Sequence, residues 1–467
     1  MNYPALDIPT LGGGFLIASI AILHVFIAHF AVGAGLFTAA CETAARRRGD
    51  ALLLRFLRDH SRVLVLLAFV LGAASGAGVW FSIAVVAPRA TSLLIHNFVF
   101  AWAIEWVFFA IEITAGYVYY ASWDRLAPSR HVAVGWIYAA AAWLSLFAIN
   151  GIITFMLTPG RWLERRAADD WSGAFFSGFF NPTFWPSLLL RTLSCLALAG
   201  LFVCVIVNLA PGYGREERKR VIRAALYFVA PIVLMVPAAL WYFGHVPAFA
   251  RQLVAGGAAA MSLFLVFGVV CSVLISAYAL ALIRTRGYLS LTSSVLLLAM
   301  AFVATGTMEY VREGIRKPYV VRGYLWSNGV ANRPAEFTPI NRDGLLAHAP
   351  WHALRAGGAA LDSVQRGEIL FRAQCAACHT VDGLNGVAPL VYGWRRDWIR
   401  QCLDHLDELK GYMPPCLGTP AERDALADWL FQLNPAHRGD DAPDLPVASA
   451  AAPRRARLEP GAVEAQP

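Results

Sequence analysis

Two cysteines and a histidine stand together at Cys375-Ala-Ala-Cys378-His379. Thiols at this spacing can form thioether bonds to the two vinyl groups of a haem, and the next histidine then lies beneath the iron. The same residue types also suit a redox pair or a zinc site that happens to precede a histidine. The surrounding sequence therefore has to decide between these chemistries.

The sequence around this motif, residues 361–435, resembles a class I cytochrome c. The shared features are Gly367-Glu-Ile-Leu-Phe, Ala388-Pro389-Leu390, Tyr412-Met413-Pro414-Pro415 and a closing amphipathic helix from Glu422 to Leu433. The resemblance implies a haem c bound covalently at Cys375 and Cys378, with His379 and Met413 as axial ligands. A His/Met pair raises the haem potential. The spacing of two further cysteines, 402 and 416, leaves open whether they form a disulfide.

The composition of the whole chain indicates a membrane protein. Its 467 residues are 58% hydrophobic and only 15% charged, whereas soluble domains carry about 25% charged residues. A soluble enzyme, a disordered chain and a nucleic-acid binder are therefore poor fits, and no nucleic-acid partner is expected. The net charge of +8 comes from basic residues that punctuate apolar runs, which is a pattern of membrane topology.

Eight apolar windows are long enough to span a hydrocarbon core of about 30 Å. They are Gly13–Ala44, Val63–Ala87, Ser92–Ser122, Val132–Leu157, Trp185–Leu209, Val221–Phe243, Met261–Ile283 and Leu289–Val311. The connections after odd-numbered windows carry 15 Lys and Arg residues, and the connections after even-numbered windows carry five. The positive-inside rule therefore predicts that both ends of the membrane part are periplasmic.

The predicted architecture is all-α, a polytopic helical membrane bundle followed by a small helical cytochrome c domain. We expect a membrane domain at 1–318, a linker at 319–360, a cytochrome c domain at 361–436 and a disordered tail at 437–467, where Ala, Pro and Arg dominate. Bacterial haem c is attached outside the cytoplasm. The motif and the arginine distribution therefore place the C-terminal domain on the same side of the membrane.

Six ionisable side chains in or at the ends of these windows are candidates for function, because charge is expensive at membrane depth. They are His24, Glu105, Glu112, Arg191, Glu309 and Glu313. His24 lies roughly 18 Å along its helix, and Glu105 and Glu112 share one face because seven residues make two turns. A histidine bonded to a carbonyl, or a Glu–Arg pair between helices, is the structural alternative for each. Together they indicate haem redox chemistry coupled to proton uptake.

Residues 10–325 resemble the catalytic subunit of cytochrome bd oxidases. In chain order the matching features are His24, Gly33, Gly35 and Glu42; Ile104-Glu105-Trp-Val-Phe-Phe-Ala-Ile-Glu112; Trp123-Asp124-Arg125-Leu126; His131, Trp136, Met156 and Pro159; and Glu313-Gly-Ile-Arg316-Lys-Pro318. The resemblance implies two further haems of b and/or d type. His24 would be an axial ligand where dioxygen is reduced, Glu313 would ligate the partner haem, and Arg316 would steady haem propionates. Glu105 and Glu112 would carry protons.

The chain departs from the quinol-oxidising members of that family in three ways. The connection after the sixth window, 244–260, is too short for their quinol-binding loop. Arg191 and Phe264 stand where those members have the His and Met ligands of a low-spin haem, although Met261 one turn away is a possible shifted ligand. A ninth helix is missing. The chain therefore resembles the cytochrome c-fused branch, fed by a periplasmic one-electron donor such as a cytochrome c.

Two alternatives remain at the level of sequence. One is a b/c-type electron-transfer cytochrome without oxygen chemistry, and the other is a reductase of another small gas such as nitric oxide. Dioxygen and membrane lipid are the other expected partners, and whether a second membrane subunit is needed stays open. Arg191 is expected to pair with a propionate or a glutamate. His29 is expected to have a packing role, and His131 is expected to lie at the membrane surface.

Overall fold

The computed structural model of the chain describes residues 5–355, 361–409 and 411–434. The predicted tail at 437–467 lies outside the described residues. Eight helices in the described part are long and apolar enough to cross a membrane, which confirms the predicted helical membrane bundle. The spans are Gly13–Arg48, Ala51–Val86, Val99–Ala121, Pro128–Phe155, Phe184–Leu209, Arg215–His245, Ala259–Thr285 and Leu291–Gly314.

Two of these spans are interrupted helices. The membrane part contains helices α1 (Gly13–Arg48), α2 (Ala51–Val65), α3 (Ala73–Val86), α4 (Pro88–Asn97), α5 (Val99–Ala121), α6 (Pro128–Phe155), α7 (Trp162–Ala167), α8 (Trp171–Phe179), α9 (Phe184–Leu209), α10 (Arg215–Val229), α11 (Met235–His245), α12 (Ala248–Gln252), α13 (Ala259–Thr285) and α14 (Leu291–Gly314). A π-helical segment, Leu66–Gly72, joins α2 to α3, and π segments often mark functional sites. A 3-10 segment at Ala230–Leu234, which contains a proline, joins α10 to α11.

Helix α1 lies at the centre of the bundle and packs against α9, α6, α3 and α14. Its glycines allow this close approach. A Cβ at Gly33 would overlap the backbone of Cys195 on α9, and a Cβ at Gly35 would lie 2.8 Å from the ring of Tyr138 on α6. The Gly-rich stretch after His24 is therefore a helix-packing surface, and it fixes α1 against the helices that carry the other candidate residues.

The segment 319–360, expected to be a linker, contains folded elements. It carries a two-stranded antiparallel hairpin, β1 (Tyr319–Val321) and β2 (Leu325–Trp326), followed by helices α15 (Pro334–Asp343) and α16 (Pro350–Arg355). Glu336 on α15 pairs with Arg89 on α4, and this pair ties the segment to the membrane bundle. The domain boundaries themselves stay predictions.

The C-terminal domain is helical, as predicted. It contains α17 (Ser363–Gln374), α18 (Val387–Leu390), α19 (Arg396–Asp404), α20 (Leu406–Leu409) and α21 (Pro420–Gln432). Leu370 and Trp429 share one hydrophobic core with Trp326 and Ile340 of the preceding segment. Glu422 accepts hydrogen bonds from the backbone N–H groups of residues 345 and 346. The hairpin segment and the C-terminal domain are therefore packed together.

Candidate haem and proton-transfer sites

His24 faces a stretch of small residues on the second span. Its Nδ1 atom lies 3.1 Å from the hydroxyl oxygen of Ser75 on α3. A Cβ at Gly76, the next residue, would lie 3.2 Å from the His24 ring. The run from Gly72 to Gly78 contains only Gly, Ala and Ser, so no bulky side chain of α3 closes over the imidazole there. The small residues therefore let α3 lie close against the imidazole.

Glu313 lies at the end of α14, beside two basic residues. Its carboxylate pairs with Arg316 and lies 3.3 Å from the ammonium of Lys317. Arg316 is buried, and its guanidinium also lies 2.8 Å from the sulfur of Met156 at the end of α6. Half of the Glu313 side chain remains exposed, so the carboxylate is held by charge and is still accessible.

An arginine cluster adjoins this helix end; we use the name for Arg191, Glu309, Arg312 and Arg316. Glu309 accepts a hydrogen bond of 2.8 Å from Arg312, and it lies 4.0 Å from Arg191. The predicted pairing of Arg191 with a glutamate is thereby confirmed. Each of the three arginines has a buried guanidinium nitrogen with no hydrogen-bond partner among the described residues. Arg191 and Arg312 thus face the carboxylate of Glu309, while Arg316 pairs with the neighbouring Glu313.

The two predicted proton-carrying glutamates lie on α5, facing α6. Glu105 is half-buried and accepts a hydrogen bond of 3.0 Å from the hydroxyl of Ser145 on α6. Glu112 is buried two turns further along the helix. Seven residues of helical rise separate the two by roughly 10 Å. A proton passing from one to the other therefore needs an intermediate carrier or a side-chain rotation.

A second buried ionic group, the paired cluster, consists of Glu42, Arg46 and His131. Glu42 accepts a hydrogen bond of 2.6 Å from Arg46, and one of its oxygens lies 2.8 Å from Nδ1 of His131. The other nitrogen of His131 lies 3.0 Å from the carbonyl oxygen of Tyr119. His131 stands in the first turn of α6, and its ring is fully buried between α1 and α5; that it lies at the depth of the membrane surface stays a prediction. Proximity to a helix end did not reveal this burial.

The cysteine–histidine motif follows α17 in the C-terminal domain. Nδ1 of His379 lies 3.0 Å from the carbonyl oxygen of Asn385, which fixes the orientation of the ring. Burial lowers the pKa of His379, and this favours the neutral imidazole that can ligate iron. Burial also raises the pKa of the Cys375 thiol. Among the described residues, no group of three or more His, Cys, Asp or Glu side chains is placed to hold a bare metal ion.

Met413 lies in a loop that Gln374 fastens to α17. The buried Gln374 amide accepts a hydrogen bond from the backbone N–H of Leu417 and donates one to the carbonyl of the same residue, at 3.0 and 3.2 Å. Cys402 and Cys416 are free thiols, so they form no disulfide. The loop is therefore held by the Gln374 hydrogen bonds and by packing.

Comparison with known families shows which protein family the chain belongs to. The family model described as cytochrome bd terminal oxidase subunit I matches residues 15–253, just over half of the chain. The chain belongs to this family. The model described as cytochrome C oxidase, cbb3-type, subunit III matches residues 362–430. The protein is therefore a cytochrome bd-type oxidoreductase subunit that spans the membrane and carries a cytochrome c domain. No curated protein matches the chain.

A solved structure supports the fold of this bd-type subunit. The bd oxidase from Geobacillus thermodenitrificans is similar over 67% of this chain and 88% of that chain, with a TM-score of 0.58. The sequence identity is 14%, so this likeness concerns the fold alone.

The bd-type membrane domain fits the haems that its family implies. A buried group with excess positive charge is costly without an anion, and each haem carries two propionate carboxylates. The unpartnered nitrogens of the arginine cluster are suitable donors for them, beside the carboxylate of Glu313. His24 offers an imidazole next to residues of small volume. Haem c is likewise expected on Cys375 and Cys378.

Phe264, Met261 and Arg191, the positions compared above with low-spin haem ligands, make packing and charge contacts. Phe264 stacks at a tilt against Tyr310, with ring centroids 4.6 Å apart. Met261 is buried, and its sulfur lies 2.8 Å from where a Cβ of Gly314 would be. Arg191 belongs to the arginine cluster and, as a permanently protonated group, cannot ligate iron. Met261 therefore packs against the end of α14.

Sequence reasoning missed three residues of this bd-type subunit. Arg312 completes the arginine cluster, and its spacing from Glu309 and Arg316 on one helix face was the available signal. Lys317 lies between Glu313 and the sulfur of Cys378, which no local pattern indicates. His60 is fully buried among phenylalanine rings, with neither ring nitrogen hydrogen-bonded within the described part of the chain.

Proposed function

We propose that the protein is a terminal oxidase. It accepts electrons at haem c from a periplasmic one-electron donor and reduces dioxygen to water at a pair of membrane haems of b and/or d type. The observation that carries this proposal is the arginine cluster, whose unpartnered donors lie beside the accessible carboxylate of Glu313. His24 would ligate one membrane haem and Glu313 the other.

The protein side chains have distinct tasks in this scheme. The haems, when bound, supply electron transfer and the binding of dioxygen. Ser75 orients the imidazole of His24 through its contact with Nδ1. Arg191, Arg312 and Arg316 would hold haem propionates and neutralise their charge in a region of low dielectric. Lys317 keeps the carboxylate of Glu313 beside the cluster.

Protons would reach the dioxygen site through the carboxylates of α5. Glu112 is buried, and its carboxylate can accept and release a proton inside the bundle. Glu105, hydrogen-bonded to Ser145, would be the next acceptor towards the haems. The positive-inside pattern of the connections supports proton uptake from the cytoplasm and a periplasmic cytochrome c domain in the bacterial inner membrane.

The proposed change of donor rests on the connection after the sixth span. It holds the short helix α12 and a π-helical segment, Leu253–Gly257, and Phe249 of α12 lies against the C-terminal domain, 2.9 Å from where a Cβ of Gly411 would be. Gly411 is two residues from Met413. A cytochrome c domain therefore occupies the neighbourhood in which quinol-oxidising relatives, by the resemblance, place their quinol loop.

Dioxygen uptake by membranes that contain the protein tests the proposal. Ascorbate with a one-electron mediator serves as reductant, and His24→Ala is compared with a matched variant, His96→Ala, which removes an exposed histidine. We expect uptake in the wild type and in His96→Ala and none in His24→Ala. Reduction of haem c without uptake in the wild type would contradict the proposal and favour a plain electron carrier or another acceptor. Carbon monoxide binding then separates these two, because a carrier with six-coordinate haems does not bind it.

A further inference from the structure

The C-terminal domain touches the membrane domain at segments that flank its predicted haem ligands. Arg372, three residues before Cys375, pairs with Asp7 at 2.6 Å. The backbone N–H of Leu384, five residues after His379, donates a hydrogen bond of 2.9 Å to the carbonyl of Thr10. The Phe249–Gly411 contact described above lies two residues from Met413. The side of the domain that carries the haem ligands therefore faces the membrane bundle.

Lys317 connects the two candidate haem sites directly. Its ammonium lies 3.3 Å from the carboxylate of Glu313 and 3.9 Å from the sulfur of Cys378. In the loaded protein this sulfur is the thioether sulfur that joins haem c to the chain. One side chain therefore separates a predicted ligand of a membrane haem from a covalent attachment point of haem c.

The contact between the two domains is closely fitted on either side of Lys317. Gly383 lies directly on the backbone of Thr10, where a Cβ of any other residue would overlap that backbone. On the other side, Arg316 is buried and anchors the turn after α14 to the carbonyl of Val320. The Cys378 edge and the Glu313 helix end are thus each ordered within their own domain, and Lys317 contacts both of them.

We propose that Lys317 is a positioning residue that holds the haem c attachment edge against the Glu313 end of α14, so that one electron passes directly between the two sites. The inference rests on the proposed function. In this step haem c is oxidised and the membrane site is reduced by one electron, no bond forms or breaks, and the external donor reduces haem c again. A low-spin haem between the two sites is then unnecessary.

The charge of Lys317 gives this role a specific signature. A cation beside haem c stabilises the reduced form, which carries one positive charge less, and so raises the haem c midpoint potential. A lysine that served only as a structural partner of Glu313 would leave this potential unchanged. The potential therefore distinguishes positioning beside haem c from a simple ion pair.

The test compares Lys317→Glu and Lys317→Met with Lys317→Arg and with the matched control Lys219→Glu, a charge reversal on α10. Two quantities are measured on the holoprotein: the haem c midpoint potential, and the rate of electron redistribution to haem c after photolysis of bound carbon monoxide. We expect a lower potential and an electron exchange at least about tenfold slower in Lys317→Glu, since small displacements cost large factors in rate. Lys317→Met should change both in the same direction by less. Lys317→Arg and Lys219→Glu should resemble the wild type.

A wild-type potential and exchange rate in both Lys317→Glu and Lys317→Met would overturn the inference. Equal covalent haem c content in all variants shows that the cytochrome domain has folded. If Lys317→Glu does not assemble, the result for Lys317→Met decides whether the inference holds. Failure of the proposed function has a different signature, namely no dioxygen uptake in the wild type. In that case the haem c midpoint potential of the Lys317 variants still tests whether Lys317 lies beside haem c. A potential equal to that of the wild type would overturn this claim.

Discussion

The two buried ionic groups of the bundle differ in their balance of charge. In the paired cluster, the carboxylate of Glu42 is matched by Arg46 and His131, with both nitrogens of His131 within hydrogen-bonding distance of oxygens. In the arginine cluster, Arg191 and Arg312 face the carboxylate of Glu309 and Arg316 pairs with Glu313, and each of the three guanidinium groups retains a nitrogen without a hydrogen-bond partner among the described residues. Both groups are largely shielded from solvent, so burial alone does not separate them.

This difference separates structural from ligand-binding charge. A buried ion pair with matched partners costs little to keep and much to break. Excess buried charge has no such compensation from the protein, and it therefore indicates an anion that binds there. The charge of Glu42 in the paired cluster is matched by Arg46, although one of its oxygens has no hydrogen-bond partner among the described residues, and the cluster fastens α1 to α6. In the proposed function, propionate carboxylates would complete the arginine cluster.

The largest expected effect is loss of membrane haem from Arg316→Met. This substitution removes the most deeply buried guanidinium of the arginine cluster and the partner of Glu313. We expect most of the non-covalent haem to be lost while covalent haem c remains, as measured by haemochrome spectra. Arg46→Met is the matched control at the paired cluster and should keep its haem. Equal haem loss in both variants would remove the distinction between the clusters.

The second largest effect is expected on the rate of oxygen uptake in the Glu112→Gln variant. The amide cannot carry a proton, so oxygen uptake should fall by about 10²-fold with haem content unchanged. Oxygen uptake and haemochrome spectra on the same membranes check this. Glu164→Gln, a change at a carboxylate in the connection between the fourth and fifth spans, should have no effect. Unchanged turnover in Glu112→Gln would take Glu112 out of the proton path.

A smaller effect, on stability alone, is expected for Glu42→Gln. Removing the charge leaves Arg46 and the buried His131 without their partner, which costs about 1–3 kcal/mol of unfolding free energy. Thermal unfolding in detergent should show a lower midpoint, and the haem spectra should stay those of the wild type. Loss of membrane haem in this variant would mean that the paired cluster also serves a ligand.

The smallest effect is expected for Ser145→Ala. It removes the hydrogen bond of 3.0 Å that Ser145 donates to Glu105. A single hydrogen bond contributes about 1 kcal/mol, so turnover should fall by only about threefold to tenfold. Thr114→Ala removes a hydroxyl on α5 that bonds only to its own helix, and serves as control. A loss as large as that of Glu112→Gln would give Ser145 a direct part in proton transfer.

Patterns local to the sequence predicted much of this molecule. Hydropathy predicted the eight spans, and the cysteine motif with its flanking residues predicted the cytochrome c domain. The second span begins twelve residues earlier than predicted, at Ala51, because the charged helix α2 continues through a π segment into α3. An apolar window cannot detect a helix whose first half is amphipathic.

Contacts between distant segments were beyond sequence reasoning. Glu42 and His131 are 89 positions apart, and Lys317 and Cys378 are 61 apart. No periodicity links such pairs, so neither the burial of His131 nor the place of Lys317 could be predicted. The unpartnered state of the arginine cluster is likewise a tertiary property, since it depends on how α9 and α14 meet.

The central claim is that electrons enter at haem c and not from a quinol. Oxygen uptake by the purified protein, measured with ascorbate and a one-electron mediator and separately with a quinol, tests it most directly when the wild type is compared with Cys378→Ser. We expect uptake with the mediator, loss of this uptake in Cys378→Ser, and no uptake with the quinol. Quinol-driven uptake that survives Cys378→Ser would contradict it.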